Sequence, residues 1–327
     1  MNADKSPAGI SIIICCYNSS QRLPETLQHI AQQKVPENIL WEIIIVNNAS
    51  TDNTKEVAYK EWGNYNLPHV QLQVVDEYTP GLANARKKGV DVSGFEYLIF
   101  CDDDNWLNAD YIQIAYNFLA ANPRYAAIGG QSEAVFEKGF IPPDWFDEYK
   151  MGYAVGEQGE QGDITSRGYL WGAGIAFRKS VYKIVMDGLF PSLLLDRKGN
   201  ELSAGGDSEM CLRFIIIGYK LYYTNKLKFK HLITANRLTL EYRIKLWDGF
   251  LESDKVLHKY HFYLKTQGSG DFKKQKIKIT LKYWLSFFKI RRLTEIDERL
   301  IYVLTSYKTS KYDPVYQLIR DLKKLKQ

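Results

Sequence analysis

Cysteine is scarce in this chain, with four residues in 327 at Cys15, Cys16, Cys101 and Cys211. All four lie in or beside apolar runs. Cys15 and Cys16 are neighbours whose side chains leave a strand on opposite faces, so neither a disulfide framework nor a thiolate metal site is spelled out. They read as small buried hydrophobes in a reducing cytoplasm. No run of 18 apolar residues occurs, which argues against a membrane-spanning helix. Residues 1–9 are polar and lack the apolar core of a secretory signal. GxGxxG and P-loop signatures are both missing, which leaves dehydrogenases and P-loop NTPases without a foothold. Internal repeats and low-complexity tracts are also absent.

Acidic residues are missing from one stretch. Residues 272–292 carry 8 Lys/Arg and no Asp/Glu, interleaved with Trp284, Phe287 and Phe288. From His261 onward 16 Lys/Arg stand against 6 Asp/Glu, whereas the 260 residues before it carry 27 against 32, for a total of +5. This asymmetry predicts an acidic globular body and a basic appendage. Basic and aromatic residues together suit an interfacial helix on anionic lipid headgroups. A helix packed on the body with a solvated basic face is the structural alternative. Nucleic acid fits the composition too, but nothing upstream reads as a recognition motif, so no nucleic-acid partner is expected.

Short apolar runs alternate with helical patterns through the first half, the pattern of an α/β protein with a mostly parallel sheet. Residues 10–16 (ISIIICC), 41–46 (WEIIIV), 70–75 and 97–101 (YLIFC) read as strands, with helices between them and another at Tyr111, Ile114, Ala115 and Phe118. A further strand begins at 126–130. Residues 139–167 are rich in Gly, Pro and aromatics and read as a long functional loop. A strand at 171–177, a helix at 207–217 and short strands at 221–224 and 229–232 follow. Beyond Leu238 the pattern turns helical, with Gly268-Ser269-Gly270 as a hinge. The expected division is therefore a body of residues 1–238 and a helical, basic extension of 239–327.

Asp102, Asp103 and Asp104 close the fourth predicted strand at its carboxyl end, where open α/β sheets bind ligands. Adjacent carboxylates repel unless a cation or donors offset them. An Asp-x-Asp pair suits Mg²⁺ or Mn²⁺, which share their remaining positions with waters and phosphates. A helix N-cap with a solvated turn is the bland alternative. Asn47 and Asn48 fall at the same edge, with amides suited to a nucleobase. Arg86 in GLANARKKG offers a planar donor for a diphosphate or base.

The order Tyr17-Asn18, VNNASTDNT, GLANARKKG and CDDDN resembles the family 2 inverting glycosyltransferases over about residues 10–231. That resemblance implies the GT-A, Rossmann-like α/β fold and transfer of a sugar from a nucleotide-diphospho-sugar donor to a hydroxyl of a glycan or lipid-linked acceptor. Synthesis of a bacterial surface polysaccharide is the implied setting, at the cytoplasmic face of the membrane. It implies that Tyr17, Asn18, Asn47, Asn48, Arg86, Asp102, Asp103 and Trp171 serve the donor. Within that set Asp102 would contact the ribose. Asp104, joined by His231, would hold the metal. Asn47-Asn48 stands where the family usually has Asp–Asp, and Lys87 where Asn usually follows the Arg.

By the same resemblance the family's Glu-Asp motif falls at Gly206-Asp207. Inverting transfer needs a base for the acceptor hydroxyl, and Asp207 is the first candidate, with Glu209 the second. An N-cap role for Asp207 is the competing reading. Trp145 and Tyr153 are read either as stacking partners for sugar rings or as packing within the loop. A sugar nucleotidyltransferase is the alternative enzyme, but CCYNSSQRL stands where its Gly-rich phosphate loop belongs. A non-catalytic nucleotide-binding scaffold of the same fold is the non-enzymatic alternative.

Overall fold

The computed structural model describes residues 6–188, 190–194, 204–266, 281 and 313–325. Strands β1 (Ile10–Cys16), β2 (Trp41–Asn48), β3 (Gln71–Glu77) and β4 (Tyr97–Asp102) alternate with helices α1 (Leu23–Ala31), α2 (Thr54–Gly63) and α3 (Leu82–Val92). They pair in parallel in the order β3-β2-β1-β4. Their side chains explain why. Strand residues point alternately to the two faces, and both faces here are apolar. Ile13, Ile44, Val46, Leu98 and Phe100 enter the core on one side, while Ile12, Ile14, Ile43, Ile45 and Ile99 enter the core on the other. A parallel sheet covered on both sides requires such continuous runs. Each fully buried Ile contributes roughly 1.5–3 kcal/mol.

Leu23, Leu27 and Ile30 of α1 and Ala115 and Leu119 of α4 (Tyr111–Ala121) seal one face. The other is sealed by α3 with α6 (Lys179–Met186), α7 (Gly206–Ile216) and α9 (Pro314–Lys324). Beyond β4 the sheet becomes mixed. β8 (Ala176–Arg178) runs antiparallel between β4 and β6 (Tyr125–Phe136), and β9 (Lys220–Ile233) lies parallel to β6. β5 (Asn105–Leu107) and the short β7 (Gly162–Asp163) pair antiparallel with β9.

Several expected boundaries move. Residues 171–175 are irregular rather than strand, held to β4 by bonds from Gly174 N–H to Phe100 O and from Phe100 N–H to Ile175 O. The two short strands expected at 221–224 and 229–232 are one strand with a register shift opposite Gly129 and Gln131. Gly130 sits in that shift, where a Cβ would run into the Leu227 carbonyl. The expected loop 139–167 contains α5 (Phe146–Tyr149), two 3₁₀ turns and β7. Phe146, Tyr153 and Val155 pack with Ile233, Leu238 and Leu246 into a separate small core. Tyr153 is buried against Trp145, Phe146 and Tyr242, so loop packing, not an open sugar platform, is its role here.

In the expected extension, α8 (Leu240–Thr266) and α9 join the body's core through Tyr260, Tyr316, Ile319 and Leu322. Lys259 pairs with Asp313 at 2.5 Å. Among the described residues no helix is long and apolar enough to cross a membrane. The Gly268-Ser269-Gly270 hinge and nearly all of the basic stretch 272–292 lie outside the described residues. Cysteines 15, 16, 101 and 211 are unpaired, and burial pushes the Cys15 thiol up to about 12.

Candidate active site

Three groups of side chains gather at the carboxyl ends of the parallel strands and beside them. The first is the turn after β4, where the three adjacent carboxylates have separate partners. Asp102 uses its backbone N–H to hold Asn105 Oδ1 at 3.2 Å, leaving a half-buried carboxylate. Asp103 turns inward, with Oδ2 accepting from Arg22 at 2.6 Å and from the Ser19 hydroxyl. Burial and the neighbouring Asp104 push its carboxyl above the ordinary range, against the pull of Arg22 and Ser19. Asp104 accepts from Arg237 at 3.0 Å and from Asn105 Nδ2 at 3.1 Å, and its Oδ1 lies 3.4 Å from His231 Nε2. The mutual repulsion is thus offset by Arg22 at Asp103 and by Arg237 at Asp104.

His231 reaches Asp104 because Asn105 of β5 pairs with His231 of β9 in the ladder. Its ring is nearly enclosed, and Nδ1 has no hydrogen-bond partner. A carboxylate oxygen and an imidazole nitrogen converging this closely form an acceptable half-set for a divalent ion whose other ligands come from phosphate and water. Among the described residues no group of three or more His, Cys, Asp or Glu is arranged to hold a metal ion, so such an ion would depend on the nucleotide for the remainder.

The second group surrounds a cavity of about 290 Å³ lined by Asn84, Arg86, Phe100, Ser192, Asp207 and Met210, among others. Arg86 lies over the Phe100 ring, 4.9 Å from its centroid. Gly172 N–H donates to Asp207 Oδ2 at 2.6 Å, and Ser208 N–H donates to Oδ1 at 2.7 Å. Gly205, at φ +100°, is the N-cap of α7, so Asp207 lies inside the first turn rather than at the cap. Oδ1 also accepts from the Ser208 hydroxyl at 3.4 Å, while a carboxylate oxygen such as Oδ2, with its one N–H donor from Gly172, has a second lone pair to offer. Trp171, just before Gly172, is largely buried. Its backbone N–H donates to Gln158 Oε1 at 2.8 Å, and Gln158 Nε2 donates in turn to Gly130 O.

Glu209 does not reach this cavity. It is fully buried, with Oε2 accepting from Ser192 and from the backbone N–H groups of Leu193 and Leu194 at 2.9–3.0 Å. Oε1 accepts from Arg213 at 2.7 Å and from the Tyr260 hydroxyl at 2.9 Å. Arg213, buried as completely, also donates to the carbonyls of Val185, Phe190 and Pro191. A carboxylate with five donors and no exposure has no place for an acceptor proton. Glu209 is therefore a brace beneath Asp207 that ties α6, α7, α8 and the 190–194 segment together.

The third group is at the β2–β3 edge. Asn47 Nδ2 donates to Asp76 at 2.9 Å, while its Oδ1 is buried without a partner. Lys55 pairs with Asp76 at 2.7 Å, and these two contacts hold the Asp76 carboxyl below its usual range. Nothing in the sequence pattern singled out Asp76, although a charged residue closing an apolar strand was the available signal. Asn48 faces the other way. Nδ2 donates to Glu77 O and Thr79 O, and Oδ1 accepts from Gly81 N–H, so all its capacity goes to clamping the β3–α3 loop. Asn18, at φ +49°, accepts from Thr51 N–H at 2.8 Å and likewise joins two loops. Tyr17 is half exposed above them. Asp103, Asn48 and Asn18 thus tie the loops of this edge together, while the sequence reading assigns them to the donor.

The sequence model of the family described as "Glycosyl transferase family 2" matches residues 11–184. The chain belongs to that family. Over 122 residues it is 33% identical to poly-beta-1,6-N-acetyl-D-glucosamine synthase of Staphylococcus epidermidis and 30% identical to that of Staphylococcus aureus strain COL, in each case 37% of this chain. The chain spans only 28% of the length of these curated relatives. Among solved structures, residues 1–349 of S. aureus TarS in complex with UDP-GlcNAc superpose with a TM-score of 0.55 at 17% identity, covering 96% of this chain and 88% of that one. Mannosyltransferase PcManGT from Pyrobaculum calidifontis, in complex with GDP-Man and Mn²⁺, gives 0.52 at 16% identity, covering 99% and 86%. Such low identities speak for the fold alone, and the fold is the GT-A type that family 2 membership implies.

Proposed function

We propose that the protein is an inverting glycosyltransferase that moves a sugar from a nucleotide-diphosphate donor to a hydroxyl of a glycan or lipid-linked acceptor in cell-surface polysaccharide synthesis. The observation that carries this reading is the Asp207 carboxylate, held by Gly172 N–H and facing a cavity that Arg86 also lines. An acceptor O–H placed there gives its proton to Asp207 as its oxygen bonds to the anomeric carbon. The bond from that carbon to the diphosphate breaks, and the nucleoside diphosphate leaves from the opposite face. Asn47 Oδ1, buried and unpartnered, offers an acceptor for a base N–H. Asp102 is assigned the ribose, and Arg86 the diphosphate side of the donor.

Asp104 and His231 would hold Mg²⁺ or Mn²⁺. When bound, such an ion offsets charge on the departing diphosphate. UDP-GlcNAc is the first donor to test, because it is the ligand in the TarS complex and because the curated relatives are named for N-acetyl-D-glucosamine polymers. The membrane as the place of the acceptor rests on the basic, aromatic composition of residues 272–292.

A donor screen that reads nucleoside-diphosphate release, run with Mg²⁺, Mn²⁺ or a chelator, tests the proposal. Release from at least one sugar nucleotide, lost on chelation and lost in Asp207→Asn while nucleotide still binds, is the expected result. Unchanged transfer by the Asp207→Asn protein would remove Asp207 from the base role, and activity indifferent to chelator would remove the metal from Asp104.

A further inference from the structure

Arg237 is placed unusually for an ion-pair partner. It sits in the 3₁₀ turn Ala235–Leu238 that leads from β9 into α8. Its backbone is fixed twice, by its own N–H to Thr234 O and by the Tyr153 hydroxyl donating to its carbonyl at 3.1 Å. From that anchor the guanidinium reaches Asp104 Oδ2 at 3.0 Å and comes within 3.4 Å of His231 Nε2. Nη1 therefore stands against both groups assigned to the divalent ion. The cluster is also short of partners, since Arg237 Nε and His231 Nδ1 are buried and unbonded. Buried donors left unpaired cost free energy and mark places where a ligand completes the structure.

A guanidinium and a divalent ion cannot share one carboxylate and one imidazole at these distances without strong repulsion. Two phosphate groups arriving together with the ion remove the conflict, because the planar fork of an arginine pairs with phosphate as well as with carboxylate. We propose that Arg237 is a tethered cation that holds the Asp104 carboxylate before the donor arrives and passes to the donor's diphosphate when a divalent ion takes its place. This rests on the assignment of Asp104 and His231 to the ion made above. It explains why the Asp104 carboxylate is not left without a cation before loading. Ion binding and nucleotide binding then become cooperative, since each relieves the obstacle to the other.

The test is Mn²⁺ binding followed by the electron paramagnetic resonance signal of the free ion, with no turnover required. MnCl₂ is titrated alone and in the presence of UDP. For the parent protein Mn²⁺ alone binds weakly and UDP tightens it. Arg237→Ala is expected to bind Mn²⁺ alone on the order of tenfold more tightly and to lose most of the enhancement by UDP. Equal Mn²⁺ affinities in parent and variant, with and without UDP, would overturn the role of Arg237 while leaving the metal assignment intact. Weaker binding of Mn²⁺ alone by the variant would overturn it as well. No Mn²⁺ binding by the parent even with UDP would fell the metal assignment first and this proposal with it. Arg237→Met keeps the apolar stem near Tyr242 and supplies the same comparison if the alanine variant melts early.

Discussion

Gly172 N–H donates to Asp207 Oδ2 at 2.6 Å, and the same glycine leaves no room for a side chain beside Arg86. A Cβ built at Gly172 would lie 2.6 Å from Arg86 Nη2 and 3.2 Å from Asp207 Oδ2. The glycine therefore sets the spacing between the arginine assigned to the diphosphate and the carboxylate assigned to the acceptor. Gly172→Ala is expected to lower kcat/KM by about a hundredfold, the scale of an ångström-sized misplacement of reacting groups. Melting temperature should change little, because the closest approach falls on the far end of a long side chain rather than on backbone. An alanine variant with parental kinetics would show that the spacing is not needed.

Glu209 predicts the opposite division between stability and rate. Glu209→Ala leaves the fully buried Arg213 without its carboxylate, at a cost of about 3–5 kcal/mol. For a chain of this size that lowers the melting temperature by roughly 10 °C. Glu209→Gln keeps the shape and part of the hydrogen bonding, so the folded fraction should turn over near the parental rate. Collapse of kcat in a well-folded Glu209→Gln protein would return Glu209 to the list of bases.

The neighbours Asp102 and Asp103 should separate cleanly. Asp103→Asn weakens the bonds to Arg22 and Ser19 and should cost about 1–3 kcal/mol of stability. Asp102→Asn changes a half-buried carboxylate assigned to the ribose, so its effect should appear in nucleotide affinity, with the melting temperature held. Calorimetric titration with UDP alongside thermal melts reads both. A reversed pattern would exchange the two assignments.

Asp163 supplies a pH dependence of stability. Lys220 at 2.7 Å and Thr165 hold its carboxyl down at about 2, although burial alone would raise it. A carboxyl lower in the folded chain than in the unfolded one contributes stability above the unfolded pKa of 3.8 and loses it as pH falls toward 2. The pair is about a third or more exposed, so the gain is under roughly 1 kcal/mol. Asp163→Asn should melt slightly below the parent at pH 6 and converge with it near pH 2. A gap that widens on acidification would contradict the sign.

The parallel core was legible because continuous apolar runs such as ISIIICC suit only strands buried on both faces, and the Asp cluster at a strand end pointed to the ligand edge. The sequence could not show which acid was free, because that depends on residues distant in the chain. Asp103 is claimed by Arg22 and Ser19, Glu209 by Arg213 and Tyr260, and Asn48 by Gly81 and Thr79. Arg213 lies in an apolar helical pattern that gives no sign of a buried charge. Polar residues interrupt strand β9 at the register shift, where Gly130 makes room for the Leu227 backbone, so its pattern reads as two short strands.

The pairing of β5 with β9 is only three residues long, yet it sets His231 against Asn105 and so beside Asp104. Strand side chains alternate in direction, so a slip of one position would put Lys230 or Leu232 where His231 stands. A lysine there would bring another cation toward Asp104, and a leucine would offer no ligand at all. The metal assignment proposed for Asp104 and His231 therefore hangs on the register of a ladder three residues long.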